Sequence, residues 1–247
     1  MFALMERNAK EMLRDAMVLL FGVALPVALL GMMAVINGAS AVAVPQFQPA
    51  SFVPAMAVLS QAFMMLFAGL LLAKDREGAF LYRVFASPLR GADYLLAYVL
   101  PLLAVAMVQG GVCMLAGLAF GLAPSWTLLA AWAALLPTAV MFIALGLLVG
   151  CVLNEKQVGG ICGGFGVTAV GMLGGIWLDL RRFSTAVHKV LRALPFSHAV
   201  ESVRAAAAGE GAKMAAELVW TALWAAALLG LAWVVFIRRK RAGKLTA

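Results

Sequence analysis

Two long runs of this chain, residues 16–73 and 94–154, carry no Asp, Glu, Lys, Arg or His; they are 58 and 61 residues long. A hydrocarbon core ~30 Å thick takes about 20 apolar helical residues to cross, so each run can make two crossings joined by a neutral turn. Two shorter charge-free stretches, Val158 to Leu178 and Leu218 to Ile237, are each one crossing long. The pattern predicts six spans: Ala16 to Ile36, Ala55 to Ala73, Tyr94 to Leu118, Leu128 to Leu153, Val158 to Leu178 and Leu218 to Ile237. Hydrophobic residues make up 65% of the chain and charged ones 12%, against roughly 25% charged in an average soluble domain. The expected fold is an all-α membrane protein forming one domain over residues 1–247, because no polar interruption is long enough to bury a core of its own.

Basic residues set the expected orientation. With both termini cytoplasmic, thirteen of the nineteen Lys and Arg lie inside, including Arg7, Lys10, Arg14, Lys74, Arg76 and the tail Arg238 to Lys244. The six others, Arg181, Arg182, Lys189, Arg192, Arg204 and Lys213, fall in one outer loop. The net charge of +8 therefore belongs to span flanks and anionic lipid, and implies no nucleic acid. The first span follows the mixed-charge segment Glu6 to Asp15 and lacks a small-residue cleavage site, so it is expected to stay in the membrane.

Short amphipathic segments complete the expected architecture. Phe2, Met5, Ala9, Met12 and Ala16 form an apolar stripe beside Glu6, Arg7, Lys10 and Glu11, as in a helix lying on the inner surface. In the outer loop, Phe183, Val187, Val190, Leu191 and Leu194 share one helical face. Leu194-Pro195 breaks that helix, and Ser197 is the expected N-cap of a second one running to about Ala208. The span from Val158 repeats glycine at four-residue spacing (Gly159/Gly163, Gly160/Gly164, Gly171/Gly175), which favours close helix packing and, as an alternative, a hinge.

The chemistry the chain lacks narrows its function. The spans offer only hydroxyls, thiols and isolated amides such as Gln61 and Gln109, so catalysis within the bilayer is not expected. Absence of charge there argues against an ion-coupled carrier. No GxxxxGK[ST] phosphate loop occurs, so any ATP must be hydrolysed by a partner. Cys113, Cys151 and Cys162 show no metal-ligand spacing and read as packing residues. His188 and His198 are ten residues apart, too far for a helical metal pair, and read as interface residues; no metal site is expected.

Between spans two and three the chain reads Lys74-Asp75-Arg76-Glu77-Gly78-Ala79-Phe80-Leu81-Tyr82-Arg83-Val84-Phe85-Ala86-Ser87-Pro88. Phe80, Leu81, Val84 and Phe85 fall at helical spacing, and Pro88 ends the helix by disfavouring helical geometry at Ser87. Asp93 is placed to cap span three. On these residues alone the segment reads either as a docking element or as a solvated loop.

The segment resembles the membrane subunits of type-2 ABC exporters, in which span two is followed by an acidic residue, Arg, Glu, Gly and usually Thr, then a hydrophobic turn and a small residue plus Pro. Here these are Asp75, Arg76, Glu77 and Gly78, with Ala79 where Thr is common, then Leu81, Arg83 and Ser87-Pro88. The run Leu194 to Arg204, containing Pro195, Glu201 and Arg204, resembles that family's outer-face segment. The resemblance implies a permease that pairs with a second copy or a sibling to form the pathway, performs no chemistry, and docks separate ATPase subunits that bind ATP and magnesium. Asp75 to Pro88, with Phe80 and Phe85, would be the coupling helix. It implies a multi-pass protein of the cytoplasmic membrane whose cargo, whether drug, lipid or polysaccharide, is left open. The alternative is a non-transporting scaffold or sensor that binds an ATPase.

Overall fold

The computed structural model describes residues 1–39, 44–78, 80, 91–180 and 183–241. Among the described residues the regular structure is helical. Helix α1 is Phe2–Arg14. Helix α2, Ala16–Ala39, contains a π turn over Leu20–Ala24. The long helices α3 (Pro49–Glu77), α4 (Gly91–Ala119) and α5 (Thr127–Val152) follow. Helix α6 covers 155–173 and winds as α, π and α in turn, the π part being Gly159–Gly166. Two short helices, α7 (Thr185–Ala193) and α8 (Pro195–Ala207), precede the terminal α9 (Gly211–Arg241). Helix α1 marks what we call the basal end of the bundle; α7 and α8 mark the apical end.

Five helices, α2, α3, α4, α5 and α9, are long and apolar enough to cross a membrane. The expected fifth span, Val158 to Leu178, does not form one regular helix: its glycines accompany a π segment, and helix ends at Leu173. Four of the five other spans run beyond the apolar stretches that announce them, the second reaching Pro49–Glu77 rather than Ala55 to Ala73, while α5 matches its stretch to within one residue at each end. This follows because a helix continues through its polar flanks until a capping or breaking signal arrives.

Helix α3 is the axis of the bundle, with 89% of its most apolar stretch buried against 17% for α2 and for α9. It packs most extensively on α5. Gly146 and Gly150 make that approach possible: a side chain at Gly146 would overlap the Met65 carbonyl, and one at Gly150 the Gly69 carbonyl. The expected glycine grooves of α6 are filled unevenly. Gly163 faces Leu66, whereas nothing lies within 4 Å of a side chain placed at Gly159, Gly160 or Gly164.

Three local expectations change. The buried face of α1 is Leu4, Asn8 and Met12, while Phe2 is 79% exposed. The apolar stripe there serves two surfaces, one against the bundle and one free for lipid. Ser197 is not an N-cap, because Pro195 takes the first turn of α8, where its fixed φ fits and its missing N–H costs nothing; Ser197 Oγ instead donates to the Leu191 carbonyl at 3.1 Å. Helix α4 starts at Gly91, so Asp93 lies within its first turn, where a carboxylate suits the helix dipole.

Candidate functional site

Asp75, Arg76 and Glu77 close α3 at the basal end, and each reaches a different part of the bundle. Successive helical residues point about 100° apart. Three polar residues in a row therefore fan outward, provided that neighbours lie on several sides, as they do around the axial helix.

Asp75 is 2% exposed. Both its oxygens accept from the Arg7 guanidinium of α1, at 2.5 and 2.6 Å, and Tyr98 Oη of α4 donates a third bond at 2.6 Å. A bidentate fork with a further donor is what a buried carboxylate needs to offset its desolvation. Burial alone would lower the pKa of Arg7, but its bond to Asp75 and the charges of Asp75 and Glu11 prevail and hold it above its ordinary value. Asn8 Nδ2 donates to the Ala97 carbonyl at 3.0 Å, and Lys74 pairs with Glu11 at 2.9 Å. The Arg7 guanidinium also lies 4.3 Å from the centre of the Phe80 ring. Helix α1 is thus clamped to α3 and α4.

Arg76 turns to α5. Its Nη1 donates to the carbonyls of Gly150 and Cys151, at 3.1 and 2.5 Å, and Nη2 to that of Leu153 at 3.1 Å. These carbonyls at the end of α5 have no partner further along the helix, and a guanidinium satisfies them while complementing the negative helix end. Arg239 of α9 adds a bond to the Cys151 carbonyl at 3.0 Å. Glu77 accepts from the Glu155 backbone N–H at 2.9 Å, at the start of α6. Beside it, Asn154 and Gln157 form a reciprocal capping box. Gly78 ends α3 in an extended conformation, at φ −91°. Leu81, Arg83, Phe85 and Pro88 lie outside the described residues.

The apical residues form a second cluster. Pro195 opens α8. Arg204 Nε donates to the Ser51 carbonyl and Nη1 to the Gly175 carbonyl, both at 3.1 Å, and Nη1 also meets Glu201 at 3.3 Å. Gly175 adopts φ +75°, which a glycine tolerates best. Lys213 bridges to Glu201 at 2.9 Å. Burial pushes Glu201 up, but its bond from Lys213 and the charge of Arg204 outweigh that and hold it below the ordinary carboxylate value. Glu217 is a functional candidate that the sequence does not pick out, and it meets His198, which the sequence offers only as an interface residue. His198 is buried, with Nδ1 2.5 Å from Glu217 and Nε2 2.7 Å from the Arg192 carbonyl, and its ring stacks on Trp220. Arg192 forks onto Glu217 at 2.7 and 3.1 Å. His198 therefore joins an ion-pair network rather than a wetted interface. Beside these groups lies a cavity of about 650 Å³ lined by residues including Ser51, Arg192, Glu201, Arg204, Lys213 and Glu217.

A bundle of long apolar helices closed at both ends by charged clusters defines a multi-pass membrane protein. Residues 1–207 match the family described as ABC-2 type transporter, and the chain belongs to that family. It is accordingly a membrane permease component of an ABC transporter. No curated protein matches the chain.

Proposed function

We propose that this permease is the membrane half of an ATP-driven exporter and that segment 75–88 carries the ATPase stroke into the bundle. The observation that supports it most is the three-way attachment of Asp75, Arg76 and Glu77. A push on the chain just after α3 reaches α1 and α4 through Asp75, α5 through Arg76 and α6 through Glu77. Such attachments turn a local displacement into a rigid-body movement, the usual route by which binding outside a membrane alters access within it.

In this reading the basal end faces the cytoplasm, both termini lie there, and α6 is the sixth crossing. ATP and magnesium bind to separate ATPase subunits. A second copy, or a sibling permease, completes the pathway; α6 has surface for it, since Gly159, Gly160 and Gly164 open outward next to Phe165, which is 76% exposed.

The test is to express the chain with a candidate ATPase, recover both through a tag on the permease, and measure hydrolysis and export in vesicles. Leu81→Ala together with Phe85→Ala should lower ATPase recovery by an order of magnitude or more, from ~1.5–3 kcal/mol per large buried side chain. The variant should still insert in the membrane. Unchanged recovery and unchanged export in this variant would remove the coupling role.

A further inference from the structure

Two amides stand out in a membrane interior without charge. Gln61 of α3 is 0% exposed and Gln109 of α4 is 3% exposed. Both lie against one turn of α4. Gln61 Nε2 donates to the Ala106 carbonyl at 2.8 Å and would sit 2.9 Å from a side-chain carbon placed on Gly110. Gln109 is three residues beyond Ala106, on the same helical face. Its Nε2 fills the space beside Gly22, where any side chain would overlap it. Gly22 belongs to the π turn Leu20–Ala24 of α2. Among the described residues, Gln61 Oε1, Gln109 Oε1 and Gln109 Nε2 have no hydrogen-bond partner.

An unsatisfied amide in an apolar interior is costly, and an apolar side chain of similar size would be more stable there. We infer that Gln61 and Gln109 form an intramembrane binding site for a neutral hydrogen-bonding group, a hydroxyl or an amide, carried on an apolar chain. The unmet capacity is of both kinds, acceptor at the two Oε1 atoms and donor at Gln109 Nε2. A charged group is excluded by its surroundings, since residues 16–73 and 94–154 hold no charge to pair with it. Helices α2 and α4 pack against each other beside the amides, and both present neighbouring residues to lipid. Helix α2 is sparsely packed, Val108 beside Gln109 is 65% exposed, and Leu20 in the π turn is 52% exposed. A π turn is a frequent companion of functional sites because it leaves the helix locally wide. That the bound group belongs to cargo rests on the exporter reading above.

The experiment uses the full chain in phosphatidylcholine vesicles and three photoactivatable probes of equal chain length: a long-chain alcohol, the matching alkane, and a phosphatidylcholine with the reactive group on its acyl chain. The alcohol should label residues 18–25 and 105–113 well above the alkane, and Gln109→Leu should reduce that labelling by a factor of about 5–10, the worth of one hydrogen bond in binding. Without probe, Gln109→Leu should raise the melting temperature by ~2 °C or more, because it removes unsatisfied atoms from the resting state. Equal labelling by alkane or phosphatidylcholine, which would mark ordinary lipid contact, overturns the site. So does labelling that survives Gln109→Leu, or a lowered melting temperature, which would show the amide already satisfied. None of these measurements needs ATP or an ATPase, so the site and the exporter reading can fail separately.

Discussion

The two ends of the bundle solve the same problem in opposite ways. At the basal end, three consecutive residues of one helix distribute their bonds over α1, α4, α5 and α6, and the central carboxylate of Asp75 is sealed from solvent. At the apical end, charges from separate segments converge beside an open cavity, and Arg192, Lys213 and Glu201 all keep contact with its interior. The first arrangement fixes neighbours to one another. The second allows partners to be exchanged, since a group freed from one bond finds another charge or water. The difference gives the basal end the tighter lattice of bonds and the apical end the looser one; on the exporter reading proposed above, the stiff end is the one that would take the ATPase stroke.

The sharpest way to break the comparison is Asp75→Ala. It leaves Arg7 without its buried partner and should cost about 3–5 kcal/mol; thermal unfolding in detergent together with protease access to α1 would show it. A cost near zero with α1 still protected would mean that the basal end is no stiffer than the apical one. Glu217→Ala should cost less, about 1–3 kcal/mol, although it too carries a fork, because Arg192 can turn into the cavity and be hydrated. Arg76→Ala ranks next at about 1–2 kcal/mol, since Arg239 still bonds to the Cys151 carbonyl; Arg76→Lys should recover only part, lacking the fork that spans three carbonyls.

The smallest effect is acid loosening of the apical end. The pKa of Glu201 is lowered by folding, so its contribution is present above the ordinary value of 4.5 and is lost as pH falls through the lowered one. Arg7 runs the other way: its raised pKa means that its share is complete below the ordinary arginine value and lost only as pH climbs through the raised one. Accessibility of a cysteine introduced on α8, as in Ala207→Cys, should therefore rise on acidification, and Glu201→Gln should remove the part of that rise due to Glu201. An unchanged acid response in Glu201→Gln would assign the effect to other groups.

What could be read from sequence was whatever depends on local composition. Absence of charge located the long helices, because a lipid-facing helix needs no tertiary partner to be recognised. The motif Asp75-Arg76-Glu77 stood out too, but its bonds did not, for they run to residues as far off as Arg7 and Leu153. Small-residue spacing drew attention to α6, yet the tightest helix contact uses Gly146 and Gly150 of α5, which have the same four-residue spacing. Spacing shows that a groove exists and not which helix fills it. His198 drew attention in the sequence only as an interface residue, and its pairing with Glu217, nineteen residues on, arises when α8 folds against α9. The glycines of α6 fit both close packing and a hinge, and apolar content says nothing about winding, so its π segment is not legible in the sequence.

The close contact of α3 with α5 has a mechanical consequence. Where backbones touch at Gly146 and Gly150 there is no layer of side chains to shear, so the two helices form a single strut and cannot slide past each other by a fraction of a turn. Deformation must be taken up by whatever flanks the strut. Helices α2 and α6 both contact α3 and both carry a π turn. Wider turns make these two helices the compliant members of the frame, so a load applied at the foot of α3 swings the strut as a lever while α2 and α6 flex around it.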